Sequence, residues 1–228
     1  MIMIMLIGPQ GAGKTTLANI IRKQLSKSHK VCIVKLIDYT ILHHTYLGIL
    51  RILAKKSSNR IVFMRLSPLY VFLHFIGFIV SKIKFMLLSS TRKCHVFIED
   101  EGYIFKELAD FYFIMGVTGA LENKFVKHIA KTFLRFLLKA AFKGIHKYIV
   151  VYIDTPYATL LQRYITSRKH IEPEAYVNFQ RFVYKMMSPH IIIYLKDFCL
   201  YIYTKNVDTM SLTHIANFVI SAFRVSQN

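Results

Sequence analysis

Lys14 and Thr15 close the stretch Gly8-Pro9-Gln10-Gly11-Ala12-Gly13-Lys14-Thr15-Thr16, which fits G-x-x-x-x-G-K-[ST] at each specified position. Residues of these types at this spacing bind phosphate. Glycines let the backbone turn tightly with its N–H groups facing inward, and a helix that starts at once behind them adds the positive end of its dipole. Lys14 would reach the β and γ phosphates and Thr15 would hold Mg²⁺. The expected cofactors are therefore ATP or GTP with Mg²⁺, bound by Gly8, Gly11, Ala12, Gly13, Lys14, Thr15 and Thr16.

Carboxylates are scarce enough for their positions to matter. Asp38 is the only one in the first 98 residues, and Glu99, Asp100 and Glu101 then arrive together. Phosphoryl transfer needs a phosphate cradle, a metal ligand, cations for the transferring group and a residue that orients the acceptor. Asp100 is the expected partner of Thr15 at the metal, with Glu99 as the fallback. Glu101 would hold an acceptor hydroxyl or an attacking water. Asp38 reads either as an acceptor-binding carboxylate or as the cap of a helix starting near Tyr39. Arg163 and Arg168 are candidate lid cations, and Asp154 reads mainly as a helix cap.

These residues must be positioned by strands and helices in alternation. Ile2–Ile7 is an unbroken apolar run of the kind buried parallel strands use, and it delivers the glycine loop. A helix is expected from Thr15 to about Ser28. Val31–Ile37 reads as a strand with Asp38 at its end, His95–Ile98 as a third delivering Glu99, Tyr148–Ile153 as a fourth, and Phe198–Thr204 as a fifth. Between them the patterns are helical, over Tyr39–Arg92, about Ile104–Ile145, Asp154 to about Arg168, about Pro173–Met187 with a stop at Ser188-Pro189, and Ser211–Phe223. Parallel neighbours need crossovers, so the fold class is α/β around a five-stranded parallel sheet. One domain is expected over 1–228, with an apolar, basic helical insertion at about 41–92 and a lid at about 160–175.

The 228 residues carry 31 Lys and Arg against 12 Asp and Glu, a formal charge of +19. A chain this basic is expected to meet an anion: a nucleotide, or an anionic membrane surface. No nucleic-acid reading motif accompanies the charge. Lys127, Lys131, Arg135, Lys139 and Lys143 recur every fourth residue and form a slanting stripe on a helix, either a solvated face or one turned to lipid or polyphosphate. The uncharged run Leu66–Ser81 contains Pro68 and His74 and falls short of the ~18–20 residues a spanning helix needs. With no charged leader before Ile2, the first apolar run is a strand and not a signal peptide. The expected location is cytoplasmic, peripheral to a membrane if the basic face binds lipid, and the chain is compatible with a homodimer. Cys32, Cys94 and Cys199 read as three reduced core thiols.

Taken together, the phosphate loop, the acids after the third strand, and Asp154-Thr155-Pro156 leading to Arg163 and Arg168 resemble the P-loop nucleoside and nucleotide kinases, the thymidylate kinase-like group in particular. The resemblance covers most of the chain in order of elements. It implies a three-layer fold with strand order 2-3-1-4-5, ATP as phosphoryl donor with Mg²⁺, and an acceptor pocket near Asp38. Those families carry an arginine after the third strand, where this chain has Glu99-Asp100-Glu101-Gly102. The function expected is γ-phosphoryl transfer to a nucleotide, nucleoside or other small hydroxyl. The alternative is a P-loop NTPase switch, with Glu101 orienting water.

Overall fold

The computed structural model describes residues 2–34, 94–100, 147–167, 174–195, 199–205 and 209–225, with short pieces between 79 and 91 and single residues at 124, 128 and 132. Asp38, Glu101, Arg168, most of the insertion at about 41–92 and the cationic stripe from Lys127 to Lys143 lie outside the described residues.

Five parallel strands form one sheet: β1 (Ile2–Ile7), β2 (Val31–Val34), β3 (Val96–Glu99), β4 (Lys147–Asp154) and β5 (Cys199–Lys205). Their spatial order is β2-β3-β1-β4-β5, as the resemblance implied. β1 is central, with Met5 paired to Glu99 on one side and Val150 on the other. Met3 to Ile7 are all buried, and fully burying an apolar side chain of this size contributes about 1.5–3 kcal/mol. Such a strand can sit only where both faces are covered.

Side chains alternate across the sheet. Ile4, Leu6, Ile98, Ile149 and Val151 point into one core, shared with Leu17, Ala18 and Ile21 of α1 (Lys14–Leu25) and Ala216, Val219 and Phe223 of the closing helix. Met3, Met5, Phe97 and Tyr152 are buried as well and lie outside that cluster. There Phe85 packs edge-on against Phe97, ring centroids 5.2 Å apart, and Tyr184 against Tyr152 at 5.9 Å. Helices thus cover both faces. We number those after α1 as α2 (Tyr157–Ser167), α3 (Glu174–Leu195) and α4 (Thr209–Val225). α1 follows from its sequence: Leu17, Ala18, Ile21 and Leu25 make a buried stripe at helical spacing, and Arg22 and Lys23 in the last turn complement the dipole.

Two expectations fail here. α3 does not stop at Ser188-Pro189 but continues to Leu195. An interior proline removes one i→i−4 bond and costs about 3 kcal/mol, and the apolar run Ile191-Ile192-Ile193 beyond it continues a helix whose earlier turns are anchored by buried Val177, Val183 and Tyr184. The three cysteines are not all free thiols, because Cys32 and Cys94 are joined as a disulfide. β2 and β3 are neighbours, and the Cα atoms of Cys32 in β2 and of Cys94, just before β3, are 6.1 Å apart, within disulfide reach. Their separation of 62 residues carried no local signal of this pairing.

Candidate functional site

The glycine loop leaves the C-terminal end of β1 and enters α1 at Lys14. Gly8, Gly11 and Gly13 have φ of 148°, 78° and 98°, values that side chains rarely adopt. Gly13 is the N-cap of α1, in the left-handed region, with no side-chain cap hydrogen bond, and no acid stands in the first turn. The first N–H groups of α1 are therefore not taken up by a side-chain cap, as an anion site at a helix N-terminus requires.

Three neighbours fix the outer wall of the loop. A Cβ on Gly8 would lie 2.5 Å from the Ile153 carbonyl oxygen in β4. A Cβ on Gly11 would meet the Tyr164 ring at 3.1 Å, and one on Gly13 would meet Leu212 at 3.2 Å. α2 also grips the loop through polar atoms. The Tyr164 hydroxyl donates to the Gln10 carbonyl at 2.7 Å, and Arg163 Nη1 donates to the Gly11 carbonyl at 3.0 Å. The obstacle to a side chain at Gly8 is backbone and cannot swing aside. Gly8→Ala should accordingly destabilise the fold by about 2–4 kcal/mol, the sum of backbone strain and overpacking. Chemical denaturation of the two proteins measures this, and a difference below 1 kcal/mol would contradict it.

Lys14 lies over the loop. Its Nζ donates to the carbonyls of Gly8 and Pro9, each at 2.8 Å. A cation is thereby stationed at the mouth of an N–H-lined turn. Thr15 and Thr16 are exposed at the start of α1.

On the neighbouring strand, Glu99 is the last residue of β3, buried and level with Met5. Asp100 follows, just past the C-terminal end of β3 as Gly8 is just past that of the parallel neighbour β1. It is 2% exposed, and its Oδ2 has no hydrogen-bond partner among the described residues. An unpaired buried carboxylate oxygen is costly unless something cationic meets it. With the Thr15 hydroxyl it supplies hard oxygen donors, the ligand type Mg²⁺ takes from one or two protein groups plus phosphates and water. The residues present fit that ion.

Asp154, expected as a cap, has a different job. It is buried at the end of β4, and its carboxylate accepts from Arg181 Nε at 2.6 Å and the Tyr203 hydroxyl at 2.7 Å, with Lys185 Nζ at 3.0 Å and the Tyr152 hydroxyl at 3.3 Å. These partners tie α3 and β5 to the strand that backs the phosphate loop. Desolvation pushes the Asp154 pKa up, but the hydrogen bonds from Arg181, Tyr203 and Lys185, with the Arg181 charge, outweigh it and bring it down to about 2. Arg181 is raised in turn, first by its hydrogen bond to Asp154. Local capping logic missed this network because its partners lie 27 and 49 residues away.

The sign of the pH dependence follows. A carboxylate with a lowered folded pKa stabilises above its unfolded value and loses that contribution as pH falls through the folded one. From 3.8 to about 2 is worth about 2 kcal/mol, present in full above pH ~4 and lost towards pH ~2. Urea unfolding between pH 7 and pH 2 should show this loss, and Asp154→Asn should flatten that limb while costing about 2–4 kcal/mol at pH 7. An acid limb identical in the two proteins would contradict the assignment.

No protein-family model matches the chain, and no curated protein matches it. Among solved structures it is similar to the deoxyadenosine kinase of M. mycoides. Against the form with bound dATP the identity is 14% and the TM-score 0.59, covering 97% of this chain and 100% of that one. Against the form with bound dCTP the values are 13% and 0.56, covering 96% and 99%. At this identity the likeness concerns the fold: a parallel 2-3-1-4-5 sheet with flanking helices, as in P-loop kinases.

Proposed function

We propose that this protein is a P-loop phosphotransferase that moves the γ-phosphoryl group of ATP to a small-molecule hydroxyl. The observation that carries the reading is the buried, unpaired Asp100 oxygen at the sheet edge from which the positive-φ glycine loop and its Lys14 also arise. Apolar burial does not call for a carboxylate there; a metal-bound polyphosphate does.

In this reading the backbone N–H groups of Gly11, Gly13, Lys14 and Thr15 bind the β-phosphate, the Ala12 N–H being held by the Pro9 carbonyl, and Lys14 leaves the Gly8 and Pro9 carbonyls to meet the β and γ oxygens. Thr15 and Asp100 would hold Mg²⁺, which would supply charge neutralisation for the transferring phosphoryl group. Tyr164 and Arg163 hold the Gln10 and Gly11 carbonyls, which fixes the peptide planes on either side of Gly11. Glu101 and Asp38 are the carboxylates proposed for the acceptor side, with Glu99 as the fallback metal ligand and Arg168 as the lid cation. The fold shared with a deoxyadenosine kinase makes deoxynucleosides the first acceptors to try, and nucleotides follow from the resemblance to the thymidylate kinase-like group.

The test is ADP formation by the purified protein with ATP and Mg²⁺ against panels of deoxynucleosides, nucleotides and small polyols, with products read by mass spectrometry. Acceptor-dependent ADP and a phosphorylated product are expected. Phosphate release at full rate without acceptor, and no product from any panel, would replace this reading with the NTPase one favoured by the adjacent Asp100 and Glu101.

A further inference from the structure

Single exposed apolar residues are ordinary, but grouped ones on one helix face are not. Residues 79, 80, 83, 85–87, 90 and 91 are helical. Among them Ile79, Val80, Ile83, Met86 and Leu87 are 39–60% exposed, while Phe85 is buried against Phe97. At about 100° per residue the five exposed positions fall within an arc of roughly 120°, and Phe85 lies nearly opposite its centre. The segment thus has two apolar faces. Phe85 covers the sheet, and the other face meets solvent.

The charge of the sequence that carries this face selects what would cover it. From Tyr39 to Ile98 the sequence holds nine Lys and Arg and no Asp or Glu, and Lys82 and Lys84 are interleaved with the apolar positions. A protein partner binding an apolar stripe needs no such bias, and a second copy of a +19 chain would be repelled. An apolar helical face within a strongly cationic stretch matches a helix lying in the plane of an anionic bilayer. No helix among the described residues is long and apolar enough to cross a membrane.

We infer that the exposed face of residues 79–91 is a docking surface for an anionic lipid bilayer. Ile79, Val80, Ile83 and Leu87 enter the headgroup–acyl boundary, and Lys and Arg of the same stretch of sequence meet lipid phosphates. This surface is independent of the phosphoryl-transfer reading, although Phe85 packs on the same β3 that Asp100 follows.

Flotation of the full chain with vesicles of phosphatidylglycerol and phosphatidylcholine, against pure phosphatidylcholine, tests it. Binding should favour the anionic vesicles by about tenfold or more and weaken about tenfold as salt rises from 0.1 to 0.5 M. Ile83→Glu with Leu87→Glu should lower it by at least about tenfold. Thr213→Glu with Ser221→Glu, which brings the same charge change to exposed positions of α4, should lower it far less.

The chain contains no tryptophan, so Leu87→Trp gives a single-site reporter even if the glutamate pair fails to fold. Its emission should shift to the blue with anionic vesicles and be quenched by brominated acyl chains. Unchanged Leu87→Trp emission, equal binding to both vesicle types, or an equal loss in the α4 control would each overturn the inference. So would absence of vesicle binding together with self-association that Ile83→Glu and Leu87→Glu abolish.

Discussion

Acceptor-dependent ADP formation by the Lys14→Ala variant is expected to fall by on the order of a thousandfold, with the fold intact. The magnitude rests on what the ammonium does in an electrostatically stabilised transfer, where removal of one preorganised group typically costs 10²–10³ and of a key cation more. The intact fold rests on the geometry. Lys14 Nζ donates to two carbonyls of its own loop at 2.8 Å and is only part-buried, and after truncation the Pro9 carbonyl keeps the Ala12 N–H, so at most the Gly8 carbonyl loses its partner. Circular dichroism and a denaturation midpoint within about 1 kcal/mol of wild type would establish that the loss is chemical. Activity within threefold of wild type would remove Lys14 from the mechanism, and with it the reading of the loop as a catalytic phosphate site.

How much could be read before any coordinates depended on the range of the interaction. β1, β3 and β4 were legible because a strand buried on both faces must be continuously apolar, and nothing else in so short a run reads that way. The phosphate loop was legible because its glycines answer to local backbone geometry, borne out at Gly8, Gly11 and Gly13. Asp154 was misread for the complementary reason. Its neighbours Thr155 and Pro156 fit a local cap, whereas its partners Arg181, Lys185 and Tyr203 come from α3 and β5. Tyr164 was overlooked beside Arg163, since no sequence rule says that a tyrosine on the fourth crossover will donate to Gln10 of the first loop. The Cys32–Cys94 pair joins segments 62 residues apart that only the neighbouring of β2 and β3 brings together, which spacing alone does not encode. Proline rules are equally local, and α3 passes through Pro189.

Asp100→Asn should separate function from stability in opposite directions. The wild-type carboxylate is buried with Oδ2 unpaired among the described residues, a state that costs about 1–3 kcal/mol or more for a charged group. Asparagine keeps the shape and removes the charge, so the metal-free protein should be unchanged or more stable by about 1–2 kcal/mol. Loss of the metal-binding carboxylate should at the same time lower Mg²⁺-dependent turnover by on the order of 10²–10³, since a bound ion supplies several kcal/mol of charge stabilisation. Thermal shift reads the two effects together. Mg²⁺ with a non-hydrolysable ATP analogue should raise the wild-type midpoint by mass action, and Asp100→Asn should start at or above the wild-type value and gain little from added Mg²⁺. A purely structural Asp100 predicts the reverse, a less stable variant with a normal Mg²⁺ response. A variant that is more stable and still fully active would move the metal to Glu99, buried one residue earlier on β3, or to Glu101.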